Sequence, residues 1–240
     1  MRGWTPPENL RAILFDKDGT LVDFDRTWAP IDRAAVALAA AGDAELASRI
    51  ADACGIDEAT GRTRPDSLFA SGNSEEIVAR MVETGSPFTV AELVLQLDDL
   101  FAEGANRPVA LTDLPPLMVT LRQAGFAIGI ASSDNERAIR RSAEVLGIIE
   151  HISFIAGYDS GHGVKPGPGM IRGFCEAVGC SPEAVAMVGD NRHDIDMARA
   201  ARAGAAIAVL SGTGTLETLG GHADVCIDSV VQLPELLGSG

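Results

Sequence analysis

From residue 107 onward, short apolar runs alternate with longer stretches in which apolar residues recur every three or four positions. The runs are FAIGIAS (126–132), ISFIAG (152–157), AVAMVGD (184–190), AAIAVL (205–210) and DVCI (224–227), and they predict strands. Between them, residues 134–147, 167–179 and 193–204 carry the helical rhythm, and Gly147, Gly179 and Gly204 supply stops. Near-continuous apolar strands joined by amphipathic helices indicate a mostly parallel sheet covered on both faces. Right-handed crossovers then make it a doubly wound, Rossmann-like α/β layer.

The run RAILF (11–15) predicts the first strand, but no second strand follows it promptly. Residues 28–105 are alanine-rich and helical in rhythm, with helices predicted at 30–42, 43–55, 74–85 and 89–104. Asp43 and Ser74 read as N-caps, and Gly42, Gly55, Gly85 and Gly104 as stops. The chain therefore divides into an α/β core, 1–24 with 107–240, and a helical insert, 25–106, with hinges near 23–25 and 106–111. In the insert, Met81, Leu93, Leu97, Leu100 and Phe101 form a stripe that reads as its own core.

Composition narrows the possible partners. The 240 residues carry a formal net charge of −15, so a nucleic-acid backbone is a poor partner. No apolar run reaches the roughly 18 residues a spanning helix needs. The first 15 residues hold no long apolar stretch, so no secretory leader is expected and the cytoplasm is the expected compartment. Cys54, Cys175, Cys180 and Cys226 are too widely spaced for a zinc site or a disulfide frame and read as free thiols. Of the 19 basic residues only two are lysines, Lys17 and Lys165. Both fall inside the segments that carry the chemistry.

In an open α/β sheet, ligands bind beyond the carboxyl ends of the strands, where strand order reverses. Three predicted strands end in reactive residues: Asp16, Lys17 and Asp18; Ser132 and Ser133; and Asp190 followed by Asp194. If the first and fourth strands are neighbours, Asp16 and Asp190 converge, and such carboxylates repel unless a cation lies between them. Oxygen-rich, cysteine-free surroundings suit Mg²⁺. Asp16 can attack phosphorus as a nucleophile, and Asp18, two residues on, can protonate the departing alkoxide and offer its backbone carbonyl to the metal. Gly19 allows a sharp turn that Thr20 can fix. Ser132 and the helix start beyond it can donate to phosphate oxygens, and Lys165 is a point charge suited to a phosphoryl group. Asp194 could hold the metal directly, through Lys165 or through water, or could cap the next helix. His193 reads as a solvated residue at a helix start.

These motifs, Asp16-Lys17-Asp18-Gly19-Thr20, Ser132, Lys165-Pro166 and Gly189-Asp190 with Asp194, resemble in order and spacing the four motifs of the haloacid dehalogenase superfamily. The insert is similar in position and helicity to the helical cap of its phosphoglycolate phosphatase-like branch. The resemblance implies an inserted helical cap, a Mg²⁺ cofactor, and hydrolysis of a small phosphomonoester through an aspartyl-phosphate, with phosphoglycolate as the example. It implies Asp16, Asp18, Ser132 and Lys165 as catalytic residues and Asp16, Asp18, Asp190 and Asp194 as metal ligands. Thr20, Ser133, Arg62 and Arg64 are the expected substrate contacts, the arginines as carboxylate clamps. The partner is then a small phosphorylated metabolite, with neither nucleic acid nor membrane, and the chain a monomer or homodimer. Asp18 favours an oxygen leaving group over halide, and an insert without lysine or histidine leaves no Schiff-base chemistry. A sugar phosphomutase of the β-phosphoglucomutase type, and a catalytically idle fold serving as a binding subunit, stay open as alternatives.

Overall fold

The computed structural model describes residues 4–238, the side chains of Asp98 and Asp99 apart; the ends of the predicted core at 1–3 and 239–240 lie outside the described residues. In chain order the elements are β1 (Ala12–Phe15), then helices α1 (Phe24–Ala39), α2 (Ala44–Cys54), α3 (Leu68–Ser71), α4 (Ser74–Thr84), α5 (Val90–Asn106) and α6 (Leu114–Gln123). There follow β2 (Ala127–Ala131), α7 (Glu136–Val145), β3 (Phe154–Ala156), α8 (Gly169–Val178), β4 (Val185–Gly189), α9 (Arg192–Ala201) and β5 (Ala205–Val209). The chain closes with α10 (Leu216–Leu219), β6 (Val225–Ile227) and α11 (Leu233–Leu236).

The six strands form one sheet in the order β3-β2-β1-β4-β5-β6, and every pairing is parallel. The fold is an α/β doubly wound layer with a helical insert after β1. Strand residues alternate between its faces. Ile13 and Phe15 join one apolar cluster with Leu117 and Met118 of α6, Ile139 of α7 and Leu233 of α11. Ala12 and Leu14 join another with Phe174 of α8, Ile195 and Met197 of α9 and Leu219 of α10. A third cluster belongs to α1 through α5 and contains Met81, Leu93 and Leu97, with Leu100 and Phe101 packed at its edge.

Several helix limits differ from the expected ones. The first insert helix begins at Phe24 rather than Pro30, because the Asp23 carboxylate caps it, accepting from Arg26 N at 3.0 Å. Pro30 lies inside this helix, where its ring misled the sequence reading toward a start. The cap of α4 is Asn73, not Ser74, and it forms a capping box with Glu76. Gly104 does not stop α5, which runs on to Asn106. The helix α6, which the pattern did not predict, tolerates its proline pair because prolines in a first turn lose no intrahelical bond.

The two passages between sheet and insert run side by side. Val22 bridges Ala110, Asp23 N donates to Val109 O at 2.7 Å, and Leu111 N donates to Leu21 O at 3.0 Å. The insert is thereby anchored directly above the carboxyl end of β1.

Candidate active site

Strand order reverses between β1 and β4, and the pair is hydrogen-bonded through Asp16 N to Val188 O at 2.8 Å. The residues that follow both strands therefore share one crevice. Asp16, Asp190 and Asp194 are all buried, and one oxygen from each lies within 4.8 Å of the others. Lys165 arrives from the loop before α8 and donates to Asp16 Oδ1 at 2.5 Å and to Asp194 Oδ1 at 2.6 Å. Asp194 Oδ2 accepts from Asn191 N at 3.1 Å, so this residue both caps α9 and faces the lysine. Asp190 Oδ2 accepts from Thr213 N at 2.7 Å and from the Thr213 hydroxyl at 3.1 Å.

The electrostatics follow from crowding three carboxylates away from water. Burial raises the Asp16 carboxyl well above the ordinary range, Lys165 pulls it down, and Asp194, Asp190 and Asp18 push it up again. Asp190 is pushed up to about 7 by burial and by the neighbouring Asp194 charge. Burial works against the charge of Lys165, but Asp16 and Asp194 outweigh it and hold the ammonium above its usual value. Three hard oxygen donors with too little positive charge among them form a group that could hold a divalent ion. The side chain of Asp18 is outside that group.

The turn after β1 is built around Gly19, whose φ is +83°; a Cβ there would come 2.5 Å from Asp190 Oδ2. Only glycine allows the turn to lie against the carboxylate. Ser211 fastens this turn by donating to Gly19 O at 2.8 Å. Thr20 is fully buried, its hydroxyl has no partner, and it does not line the cavity. Ser132 does line it, its hydroxyl accepting from Asp134 N at 3.2 Å. Ser133 lines it as well and donates to Ser71 O of α3 at 3.0 Å, a direct tie between sheet and insert.

Asp18 is held from two sides. The Trp28 indole on α1 donates to Oδ1 at 2.5 Å, and Lys17 pairs with Oδ2 at 2.5 Å. Lys17 is 2% exposed, pairs also with Asp134 at 3.1 Å, and its Nζ sits 5.2 Å from the Trp28 ring centre. Lys17 does not line the cavity; its partners are the carboxylates of Asp18 and Asp134. His193, read as solvated, instead lines the cavity, with a buried Nδ1 that has no partner. Arg62 pairs with Asp25 at 2.7 Å and Arg64 with Asp52 at 2.9 Å; both line a separate concavity beside residues 210–215. Sequence reasoning missed Thr213, Asp134 and Asp32. For Thr213 a signal existed, since SGTGT (211–215) follows a strand end as closely as the other motifs do.

A reversal point lined by a buried carboxylate, a lysine and an acidic group that could hold a divalent ion has the parts that hydrolysis of phosphoryl or related groups requires. The chain matches the haloacid dehalogenase-like hydrolases over residues 10–202, and it belongs to that family. It is 29% identical over 236 residues to a phosphoglycolate phosphatase of Chromobacterium violaceum, covering 97% of this chain and 99% of that one. The fold is similar to that of a predicted phosphoglycolate phosphatase from Haemophilus somnus, with a TM-score of 0.72, 17% identity and coverage of 98% and 99%. It is also similar to a β-phosphoglucomutase from Clostridium difficile, with a TM-score of 0.66, 19% identity and coverage of 95% and 97%. The last two likenesses are of fold. Among the described residues, no helix is long and apolar enough to cross a membrane.

Proposed function

We propose that this chain is a Mg²⁺-dependent phosphatase of small phosphomonoesters that works through an aspartyl-phosphate on Asp16. The observation that carries the reading is the meeting of Asp16, Asp190, Asp194 and Lys165 at the β1–β4 reversal point. Asp16, the Asp18 carbonyl and Asp190 would hold the ion, with Asp194 in support. Bound there, Mg²⁺ supplies positive charge that offsets the repulsion between the carboxylates and a phosphate dianion.

In the first half-reaction an Asp16 oxygen bonds to phosphorus while the ester oxygen leaves with its electron pair, and Asp18 protonates that oxygen. In the second, water attacks the same phosphorus, Asp18 takes its proton, and Asp16 is released as carboxylate. Lys165 and the Ser132 hydroxyl bind the phosphoryl oxygens, with Ser133 beside them and Thr20 in the supporting turn. Arg62 and Arg64, held in ion pairs outside the cavity, have no part in this scheme. The curated relative's name makes phosphoglycolate one member of the class to assay.

Phosphate release from p-nitrophenyl phosphate tests the reading. Asp16→Asn is expected to lower kcat by at least about 10³-fold, since loss of a nucleophile removes the whole covalent route. Turnover by that variant near the wild-type rate would falsify the scheme. Incubation with a sugar 1-phosphate separates the mutase alternative: free phosphate is expected, and an isomerised sugar phosphate would favour the mutase. Complete lack of Mg²⁺-dependent phosphate release would favour an idle binding fold.

A further inference from the structure

The insert lines the cavity with the large apolar side chains of Phe24, Trp28, Phe69, Ile77 and Phe101, with the hydroxyl-bearing Ser71 and Ser74, and with one carboxylate. That carboxylate, Asp32 on α1, is 3% exposed, and its Oδ2 has no hydrogen-bond partner. A buried acceptor without a donor is destabilising, and on a cavity wall a ligand can supply that donor. Burial first, and the Asp18 charge second, raise the Asp32 carboxyl well above the ordinary range.

Asp32 is one helical turn beyond Trp28, the residue that holds Asp18. The two side chains therefore share a face of α1, roughly 6 Å apart along the helix. Asp18 is the group proposed to protonate the leaving oxygen, and Asp32 lines the same cavity close enough for the Asp18 charge to act on its carboxyl. Among the described residues no arginine lines the cavity, and its lysine, Lys165, already holds two carboxylates at the phosphoryl end. A second anion on the substrate would meet the insert's aromatic rings and the Asp32 carboxylate, with neither arginine nor free lysine to offset its desolvation; the polar groups that remain are the Ser71 and Ser74 hydroxyls and the His193 imidazole.

We propose that Asp32 sets substrate class: the site takes phosphomonoesters whose leaving group is uncharged or cationic and carries a hydroxyl or amino donor for Asp32, and discriminates against leaving groups bearing a carboxylate. This rests on the phosphatase reading and names the substrate chemistry of that same site. A hydroxyl and an ammonium are both donors of the required kind, and matched two-carbon esters separate them.

The experiment compares kcat/KM of the Mg²⁺-loaded enzyme for 2-hydroxyethyl phosphate, O-phosphoethanolamine, ethyl phosphate and 2-phosphoglycolate, with p-nitrophenyl phosphate as reference. The expected result is at least a tenfold preference for one or both donor esters over ethyl phosphate, with 2-phosphoglycolate the poorest of the four. In Asp32→Leu the ratio of donor ester to ethyl phosphate is expected to fall close to one. Asp32→Asn keeps the side chain's size and an acceptor, and is expected to retain a preference for 2-hydroxyethyl phosphate. Preference for 2-phosphoglycolate in the wild type, or a donor preference that survives in Asp32→Leu, overturns this proposal alone while p-nitrophenyl phosphate is still hydrolysed. No turnover of any ester, the aryl phosphate included, overturns the phosphatase reading as well.

Discussion

Asp18 takes its orientation from side chains that carry no reacting atom. The Trp28 indole and the Lys17 ammonium each occupy one of its oxygens. Burial disfavours the Lys17 charge, but Asp134 and Asp18 more than restore it and raise its pKa above the ordinary lysine value. Lys17 is thus a fixed cation beside the proposed acid, and Trp28 a positioning residue contributed by the insert. Trp28→Phe is expected to lower kcat for an alkyl phosphate by about tenfold, a fraction of what acid catalysis contributes. The same variant should change p-nitrophenyl phosphate turnover far less, because that leaving group needs no proton; equal losses on both esters would make the role structural. Cys54 gives a second test of local environment. Burial pushes its thiol up to about 12. Since the thiolate is the reactive form, alkylation of native Cys54 by iodoacetamide at pH 8 is expected to run about 10³-fold slower than for a free thiol.

The helices show how a local signal can point one way and packing another. Gly104 looks like a helix stop, yet α5 passes through it. A Cβ there would come 2.8 Å from Trp28 Cζ3 and 2.9 Å from Ile31 Cδ1, so the glycine is the place where α1 and α5 approach closely. Gly104→Ala would gain about 1 kcal/mol of helix propensity in an exposed helix. Here overpacking is expected to outweigh that gain and leave a net loss of about 1–2 kcal/mol. Differential scanning should then record a Tm lower by about 2–8 °C for a chain of this size. A rise in Tm would show that the two helices can separate without cost. The strands were legible because their apolar runs are short and bounded. Where α1 begins was not, since Pro30 outweighs, to a local reading, a cap formed by Asp23 before it.

The sheet as a whole creates the charge problem that the site exploits. Asp16 and Asp190 are far apart in the chain and become neighbours because β4 pairs with β1 on the side opposite β2. With its folded pKa raised to about 7, Asp190 contributes stability at low pH that is lost as pH rises through 7 and the carboxyl ionises beside Asp194. A bound divalent cation relieves that penalty, and below pH 7 it must first displace a proton. The rise in Tm on adding Mg²⁺ after EDTA treatment is therefore expected to be largest near pH 8 and to shrink toward pH 5.5. An increment that grows on acidification would remove Asp190 from the ion's neighbourhood.

The chain's linear pattern already holds the chemistry on offer: apolar strands that end in Asp16, Ser132 and Asp190, two lysines, one beside Asp16 and one in the Lys165-Pro166 motif, and a helical stretch set between the first strand and the rest. Strand ends are legible because burial demands continuous apolar runs and a parallel sheet presents its carboxyl ends together. Which side chains face one another depends on packing across the whole fold. Ion pairs draw Arg62 and Arg64 to Asp25 and Asp52, while the face that α1 turns toward the sheet brings Trp28 to Asp18 and Asp32 to the cavity wall. A helix's rotation about its axis is fixed by packing against all its neighbours at once, and no local pattern of residues contains that sum.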